Sequence, residues 1–190
     1  MPLAHSAEFF RLTRVQLFGG SMTQSQVDGT AALLSAWDHH DVRWVAYALA
    51  TAYHETDFTM EPIAEYGHGR GRPYGVPDPK NGQVFYGRGF VQITWRHNYA
   101  RADLEIPGFD LVNHPDNALK PEVAAVIMVR GLTEGWFTGV KLENYFPLHN
   151  PKYADWLNAR RIVNGLDCAA RIALYAQHFR DALEAGGYAP

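Results

Sequence analysis

Residues 45–55 read Val-Ala-Tyr-Ala-Leu-Ala-Thr-Ala-Tyr-His-Glu, and this apolar run decides the fold class. Its larger apolar side chains recur with helical spacing, as at Val45 and Leu49. Asp41 stands where a side-chain oxygen caps the first free N–H groups of a helix. The sequence therefore predicts an alanine-rich helix from Asp41 to about Thr56, with one buried face.

Five further segments carry the caps, breakers and spacing of helices. They are Ser6, as an N-cap, to Gly19-Gly20; Thr23 to Trp37; Pro121 to about Gly135; Pro151 to about Asn164; and a last helix capped by Asp167. Ile172, Phe179 and Leu183 give the last helix its buried face. Because helices dominate, the chain is predicted to be all-α.

A short β-element is predicted near the middle of the chain. Residues 84–86 and 90–93 are apolar and β-prone, and Gly87 and Gly89 suit the turn of a hairpin between them. There is no internal repeat and no alternation of strands and helices. We therefore expect one domain over residues 1–190, all-α with a small β-hairpin, and no separate binding module.

Length and composition indicate an ordinary globular domain. The chain has 190 residues, of which 47% are hydrophobic and 19% charged. Its formal net charge of −3 argues against a nucleic-acid partner. The single cysteine, Cys168, cannot form an internal disulfide. We find no secretory signal and no run of apolar residues that could span a membrane, so a cytoplasmic monomer without stable membrane insertion is expected.

Positive charge is concentrated in residues 66–102. This segment has six basic residues and one acid, Asp78, and is rich in Gly, Pro and Tyr. It is either a solvated surface loop or a basic, aromatic wall of a cleft, since loops on a rigid helical scaffold often carry function.

Several chemistries are excluded by motif. His54-Glu55-Thr56-Asp57-Phe58 lacks the second histidine of a zinc-protease helix. There is no nucleophile elbow and no phosphate-binding loop. Asp167 beside Cys168 opposes formation of a thiolate, so a nucleophilic cysteine is not expected. Neither a metal nor a cofactor is predicted.

Two carboxylates remain as candidates for acid–base chemistry. Glu55 ends an apolar helix, where the helix dipole and apolar neighbours both disfavour ionisation, as a general acid requires. Glu65 follows ten residues later, close to the basic segment. Such a pair hydrolyses glycosidic bonds. Glu61 and Asp57 are rivals by position alone.

Three sequence blocks resemble glycoside hydrolase family 19, the plant-type chitinases and the bacteriophage endolysins related to them. The blocks are His54-Glu55-Thr56; Tyr86-Gly87-Arg88-Gly89-Phe90-Val91-Gln92-Ile93-Thr94 with His97-Asn98-Tyr99; and Arg161-Ile162-Val163-Asn164-Gly165 with Arg171-Ile172-Ala173-Leu174-Tyr175. Together they span about residues 41–180. The resemblance implies a lysozyme-like domain of two lobes with a central cleft.

The resemblance also implies roles for single residues. Glu55 matches the general acid, Glu65 the general base that activates water, and Thr94 the hydroxyl that helps to hold this water. Six other positions match residues that bind the sugar, shape the cleft or join the carboxylate network: Tyr86, Arg88, Gln92, Asn98, Asn164 and Arg171. The implied mechanism is a single displacement with inversion, for which the two carboxyls stand roughly 6.5–9.5 Å apart.

Three of these positions also have purely structural interpretations. Tyr86 can serve only to pack the hairpin, Asn164 can cap a helix or stabilise a turn before Gly165, and Arg171 can form a structural ion pair.

The substrate is predicted to be peptidoglycan. The segment between Glu55 and Glu65 is short, as in the endolysin branch, and the chain lacks the cysteines of secreted plant chitinases. We therefore expect a muramidase that cuts between N-acetylmuramic acid and N-acetylglucosamine, reaching the wall of its host through lesions made by a holin. A chitinase is the alternative. A third possibility, from another class, is an inactive sugar-binding or virion structural protein.

Overall fold

The computed structural model describes residues 3–189, and it is built around the predicted central helix. Helix α3 spans Val42–Glu55 and is capped by Asp41, whose carboxylate accepts a 2.8 Å hydrogen bond from the N–H of Arg43. Residues 43–53 are all buried, so α3 is enclosed on every side instead of on one face. The prediction of this helix is confirmed.

Residues 3–189 contain eight further helices and strands. In chain order they are α1 (Ser6–Leu17), α2 (Gln24–Ala36), β1 (Ile63–Ala64), β2 (Arg88–Gly89), α4 (Arg96–Glu105), α5 (Pro121–Glu134), the one-turn α6 (Leu142–Tyr145) and α7 (Ala169–Ala185). Three 3-10 turns occupy Pro73–Gly75, Pro115–Leu119 and Asn158–Ile162. The all-α prediction with a small β-element is confirmed.

Helix α7 is the main neighbour of α3. Tyr53 on α3 meets Tyr175 edge to face, with ring centroids 4.9 Å apart, and also contacts Phe179. Ile172, Phe179 and Leu183 are fully buried, as their spacing predicts. Burial of large aromatic rings is the chief source of stability in such a core, and here it fixes the end of α3 against α7.

The predicted hairpin is wrong in its pairing. Strand β2 pairs antiparallel with β1, Ile63 opposite Gly89 and Ala64 opposite Arg88, rather than residues 84–86 with 90–93. Gln92 explains the difference, because its side-chain amide donates to the carbonyls of Ile63 and Gly89 and ties the turn to β1. The sheet thereby brings residues 63–65 beside residues 87–94.

The predicted helix from Pro151 to Asn164 is also wrong. Only the 3-10 turn Asn158–Ile162 forms there. The guanidinium of Arg43 accounts for this, since it takes the carbonyls of Pro151 and Tyr153 that a helix would use internally.

Two predicted caps lie one residue off, and two helices were missed, α4 and the one-turn α6. Ser6 is the first residue of α1, whose N-cap is His5, and α7 starts after Cys168 rather than Asp167. Helix α4 was not predicted, because its residues are mostly polar and show little apolar periodicity. Within the described residues, no helix is both long and apolar enough to cross a membrane.

Candidate active site

Glu55 is held by a buried arginine. The Arg160 Nη1 atom donates a 2.6 Å hydrogen bond to Glu55 Oε1, and Arg160 is 3% exposed. The 3-10 turn that carries Arg160 is fixed in turn, because Arg160 Nε donates to the carbonyl of Asp167. A short hydrogen bond from a guanidinium to a carboxyl group is strong and directional. Glu55 thus has a charged partner in addition to the apolar helix that the sequence predicted.

Arg160, not Arg171, reaches this carboxylate. Arg171 is exposed and, within residues 3–189, makes no side-chain hydrogen bond or ion pair. It lies near enough to His54 to act on it electrostatically. Burial lowers the pKa of the His54 imidazole from its ordinary 6.5, the Glu55 charge opposes the shift, and Arg160 and Arg171 add to it. The end of α3 thus combines a neutral imidazole, a carboxylate and two guanidinium groups.

Glu65 is fixed by donors on both of its oxygens. It follows β1, and its Oε1 accepts a 3.1 Å hydrogen bond from the Tyr74 hydroxyl. Its Oε2 accepts a 3.2 Å bond from the N–H of Gly87, whose carbonyl accepts from the N–H of Glu65. Burial and the Glu65 carboxylate raise the pKa of Tyr74. The phenol therefore stays protonated across the neutral range and donates its hydrogen bond to Glu65 throughout.

Thr94 lines a cavity of about 160 Å³. We call this the Thr94 cavity; Gln92, Thr94, Trp95 and Asn98 line it from one side, and Phe137 and Val163 from the other. The Thr94 hydroxyl is half-buried and makes no hydrogen bond to another described residue. Asn98 donates to the Thr94 carbonyl, which leaves its own carbonyl oxygen for a ligand. The structure thus brings together three of the predicted residues.

Tyr86 and Arg88 pack together instead of lining the cavity. The Arg88 guanidinium lies 3.5 Å from the centroid of the Tyr86 ring, and His68 stacks on that ring with centroids 4.6 Å apart. Arg88 is 3% exposed and bonds to Asp116 and Tyr99. A buried and hydrogen-bonded side chain of this kind stabilises the turn. The expected role of Arg88 in shaping the cleft floor stays a prediction.

Asn164 and Gln92 also have structural partners. The Asn164 side chain accepts a 2.8 Å bond from the N–H of Gly165, the turn geometry that we considered as an alternative. Gln92 adopts a positive φ of 54° and uses its amide N–H groups on backbone carbonyls. Its carbonyl oxygen is packed close to Gly87, the residue that donates to Glu65.

Half of the positive charges in segment 66–102 are paired with carboxylates in the structure. Three of its six cations form ion pairs: Arg88 with Asp116, Arg96 with Asp78, and Arg101 with Glu134. Arg70, Arg72 and Lys80 are exposed, and among residues 3–189 no ion pair involves them. The predicted basic wall is therefore reduced to three exposed side chains.

The rival carboxylates lie elsewhere. Asp57 is exposed just after α3, and Glu61 lines a different cavity, of about 390 Å³, together with Asp28. A larger cavity of about 460 Å³ lies between residues 154–157 and α7 and is mostly apolar. Across the described part of the chain, no group of three or more His, Cys, Asp or Glu side chains could hold a metal ion.

Sequence reasoning missed Arg160, Tyr74 and Trp95. Arg160 directly precedes the block Arg161–Gly165 that carries the resemblance, and this position was its one available signal. Tyr74 lies in the segment 66–102 that was considered as an aromatic wall, and Trp95 directly follows the block that ends at Thr94. Their partners left no signal, because these depend on how the loop over residues 66–85 folds back.

Comparison with known proteins supports the same fold. The structure of chitinase C from Streptomyces griseus HUT6037 superposes on this chain with a TM-score of 0.62 and 20% sequence identity. The superposition covers 97% of this chain and 77% of the chitinase chain. A bacterial family 19 chitinase superposes with a TM-score of 0.59 and 22% identity, covering 100% of this chain and 97% of its own. The class IV family GH19 chitinase of Zea mays superposes with a TM-score of 0.54 and 19% identity, covering 98% of this chain and 94% of its own.

The chain has the family 19 chitinase fold. Two plant proteins are similar to part of it in sequence. The basic endochitinase of Vitis vinifera is 35% identical over 109 residues, which is 50% of this chain and 33% of the relative. The endochitinase of Persea americana is 36% identical over 88 residues, 39% of this chain and 27% of the relative. The chain thus spans about a third or less of these curated relatives. No protein-family model matches it.

Proposed function

We propose that the chain is a family 19 glycoside hydrolase with Glu55 as general acid and Glu65 as general base. The observation that carries this proposal is the pair of glutamates on separate elements, each fixed by its own donors. Glu55 ends α3 and is held by Arg160, whereas Glu65 follows β1 and is held by Tyr74 and Gly87. Acid–base catalysis needs two carboxyls in fixed orientations on opposite sides of the scissile bond.

The hydrogen bonds assign the atoms of the acid. Arg160 occupies Glu55 Oε1, and no described residue bonds to Oε2. We assign the acid step to Oε2, from which a proton passes to the glycosidic oxygen as the bond from that oxygen to the anomeric carbon breaks. Glu55 ends the step as a carboxylate facing the guanidinium, which stabilises the charge that forms.

Glu65 and Thr94 act on the water. Tyr74 and Gly87 leave Glu65 fixed in one orientation, and the sheet places it beside residues 87–94. The Thr94 hydroxyl and the Asn98 carbonyl oxygen, both on the Thr94 cavity, orient a water that Glu65 deprotonates. Attack on the face opposite the leaving group inverts the anomeric centre.

For the substrate we propose peptidoglycan, cut between N-acetylmuramic acid and N-acetylglucosamine. The short segment from Glu55 to Glu65 supports an endolysin-like enzyme, and the exposed Arg70, Arg72 and Lys80 suit an anionic polymer. Chitin is the second candidate, because the similar plant proteins are named endochitinases. Both candidates use the same acid–base chemistry. If the substrate is peptidoglycan, the enzyme reaches the cell wall through membrane lesions made by a holin.

Digestion of two substrates side by side tests this proposal. Purified Gram-negative peptidoglycan and chitin hexamer are incubated with the protein and with Glu55→Gln, and the products are analysed by mass spectrometry. Muropeptides with reducing muramic acid ends, and intact hexamer, support the muramidase. Cleavage of the hexamer alone supports the chitinase, and reducing N-acetylglucosamine ends from peptidoglycan support a glucosaminidase. Absence of products from both substrates contradicts the enzymatic proposal.

A further inference from the structure

The segment that joins the two proposed catalytic glutamates is bent through strained backbone. Ten positions separate these glutamates in the sequence. Between them, Asp57, Phe58 and Met60 have φ angles of +49°, +68° and +57°, a left-handed conformation that residues other than glycine rarely adopt. Backbone of this kind persists only where the surrounding structure holds it. We call residues 57–60 the acid–base bend, because their conformation sets where the second glutamate stands relative to the first.

Hydroxyl groups of nearby threonines close both ends of the acid–base bend. The Thr56 hydroxyl accepts a 3.0 Å hydrogen bond from the N–H of Met60, and the Thr59 hydroxyl donates a 2.8 Å bond to the carbonyl of Thr56. The N–H of Phe58 donates to the carbonyl of Tyr53 on α3. The carbonyl of Phe58 is bonded differently: in the described part of the chain its one hydrogen-bond partner is a side chain from another helix.

That partner is Gln26 on α2, which uses both ends of its amide. Its Nε2 donates a 3.0 Å hydrogen bond to the carbonyl of Phe58, 32 positions along the chain. Its Oε1 accepts a 2.8 Å bond from the N–H of Thr23, the N-cap of α2. These two partners fix the orientation of the amide, because a reversed amide would place its oxygen against the carbonyl oxygen of Phe58. One half-buried side chain thus joins the start of α2 to the acid–base bend.

Helix α2 also packs directly against the acid–base bend. Gly29 lies three positions after Gln26 and therefore on the same face of the helix. No side chain fits at Gly29, because an added Cβ would overlap the carbonyl oxygen of Met60. Beyond Met60 the chain enters β1, which ends one residue before Glu65. A displacement of the bend from α2 would therefore pass along β1 to the proposed base.

We propose that Gln26 is a positioning residue for the acid–base pair. By bonding to the carbonyl of Phe58, it keeps the acid–base bend in its strained conformation and so sets the separation of Glu55 and Glu65. An inverting hydrolase depends on this separation, because a water must fit between the base and the sugar. The inference rests on the proposed function, and it assigns to Gln26 a task beyond the capping of α2.

Gln26→Glu separates the two tasks of this side chain. A carboxylate still accepts from the N–H of Thr23 but has no proton to donate to the carbonyl of Phe58. We expect kcat to fall about tenfold at pH 7, with less than about a twofold change in KM, because misplaced catalytic groups slow the chemical step. The ratio of variant kcat to parent kcat should recover toward about pH 4.5, where part of the introduced carboxyl is protonated and can donate. Steady-state kinetics on the glycan identified by digestion measure these quantities.

Thr23→Ala is the matched control. It removes the hydroxyl that accepts from the N–H of Gln26, and it leaves the Gln26 amide and its bond to Phe58 in place. The control should lower the midpoint of thermal unfolding at least as much as Gln26→Glu does, because an N-cap is lost. Its kcat should stay within about twofold of the parent at every pH.

Each outcome bears on a stated claim. Unchanged kcat in Gln26→Glu overturns the positioning role, and so does an equal loss in Thr23→Ala, which would leave capping as the task of Gln26. A loss that does not recover at low pH overturns the hydrogen bond to Phe58 as its cause. If Gln26→Glu does not fold, Gln26→Met takes its place: a loss of kcat that Thr23→Ala does not share supports the role, and an unchanged kcat overturns it.

Activity of the parent distinguishes this inference from the proposed function. An active parent with an unaffected Gln26→Glu variant overturns the positioning role alone. A parent that cleaves neither chitin nor peptidoglycan overturns the proposed function, and the positioning role with it.

Discussion

The guanidinium of Arg160 donates a 2.6 Å hydrogen bond to the carboxylate of Glu55, which lies 105 positions earlier in the chain. Arg160 is almost fully buried, and its second anchor is the carbonyl of Asp167. The contact joins the end of the central helix to the turn before α7. It assigns Arg160 as the positioning residue of the proposed acid.

Arg160→Lys is expected to lower kcat about tenfold to a hundredfold with a smaller change in KM. Lysine keeps the charge but cannot bond to Glu55 and Asp167 together, and a small misplacement of a catalytic group costs this much. Steady-state kinetics on the substrate identified by digestion measure the effect. The matched control is Arg161→Lys at the exposed neighbour, which should retain nearly full activity. Equal losses in both variants would show that Arg160 has no special role.

Tyr74→Phe is expected to reduce kcat about tenfold. The change removes a single hydrogen bond to a carboxylate, worth ~1.5 kcal/mol, while Gly87 still holds the other oxygen of Glu65. Because the pKa of Tyr74 is raised, the parent retains this bond on approach to pH 10, and the ratio of the two rates should stay constant from pH 7 to 9. A ratio that varies across this range would contradict the assigned hydrogen bond.

Gly29→Ala is expected to destabilise the protein by ~1–3 kcal/mol. A Cβ atom at Gly29 would lie 1.8 Å from the carbonyl oxygen of Met60, so α2 and the loop before β1 would have to separate. Chemical denaturation measures the free energy of unfolding. Gly67→Ala is the control, since nothing lies within 4 Å of its added Cβ. Equal stability of the two variants would refute the close approach.

Tyr188 is expected to make stability fall with rising pH in the alkaline range. Its hydroxyl donates to the carbonyls of Trp37 and His40, and burial raises its pKa from 10.0 to about 12. Between these values the unfolded chain releases the proton while the folded chain keeps it, so stability is full below pH 10 and is lost as the pH approaches 12.

Tyr188→Phe tests this linkage. The variant is less stable at pH 7 by ~1–2 kcal/mol, because two carbonyls lose a donor, and its stability declines less steeply between pH 10 and 12. Urea denaturation at several pH values gives both quantities. Tyr66→Phe, at a tyrosine that is 92% exposed, should behave as the parent does. A decline as steep in Tyr188→Phe as in the parent would exclude Tyr188 as the titrating group.

Local patterns in the sequence predicted those parts of the fold that depend on near neighbours. Asp41 caps α3, Thr23 caps α2, and Gly135 ends α5 in a left-handed conformation, each through contacts within a few residues. The predicted helix after Pro151 failed because Arg43, more than a hundred positions away, binds its carbonyls. Long-range polar contacts of this kind leave no periodic signal.

The sequence predicted the main residues of the candidate site better than it predicted which side chains they contact. Glu55, Glu65 and Thr94 follow from position and resemblance, and their catalytic roles stay predictions. Arg171 was expected in the carboxylate network, but Arg160 occupies that place. Arg88 was expected to shape the cleft floor with Tyr86, and the structure packs its guanidinium against the Tyr86 ring without a sequence signal for its partner Asp116. In both cases the residue type was recognised and its partner was not, because the partner is chosen by tertiary packing.

The anomeric form of the first product tests the central claim most directly. Proton NMR during the first minutes of hydrolysis is recorded for the parent, for Glu55→Gln and for Glu65→Gln, on the glycan that the digestion identifies. The account predicts that the parent releases the α anomer from a β-linked glycan, and that each glutamine variant loses activity by a factor of a hundred or more. Release of the β anomer would mean retention, with Glu65 as a nucleophile. Full activity in Glu55→Gln would contradict the assignment of the acid altogether.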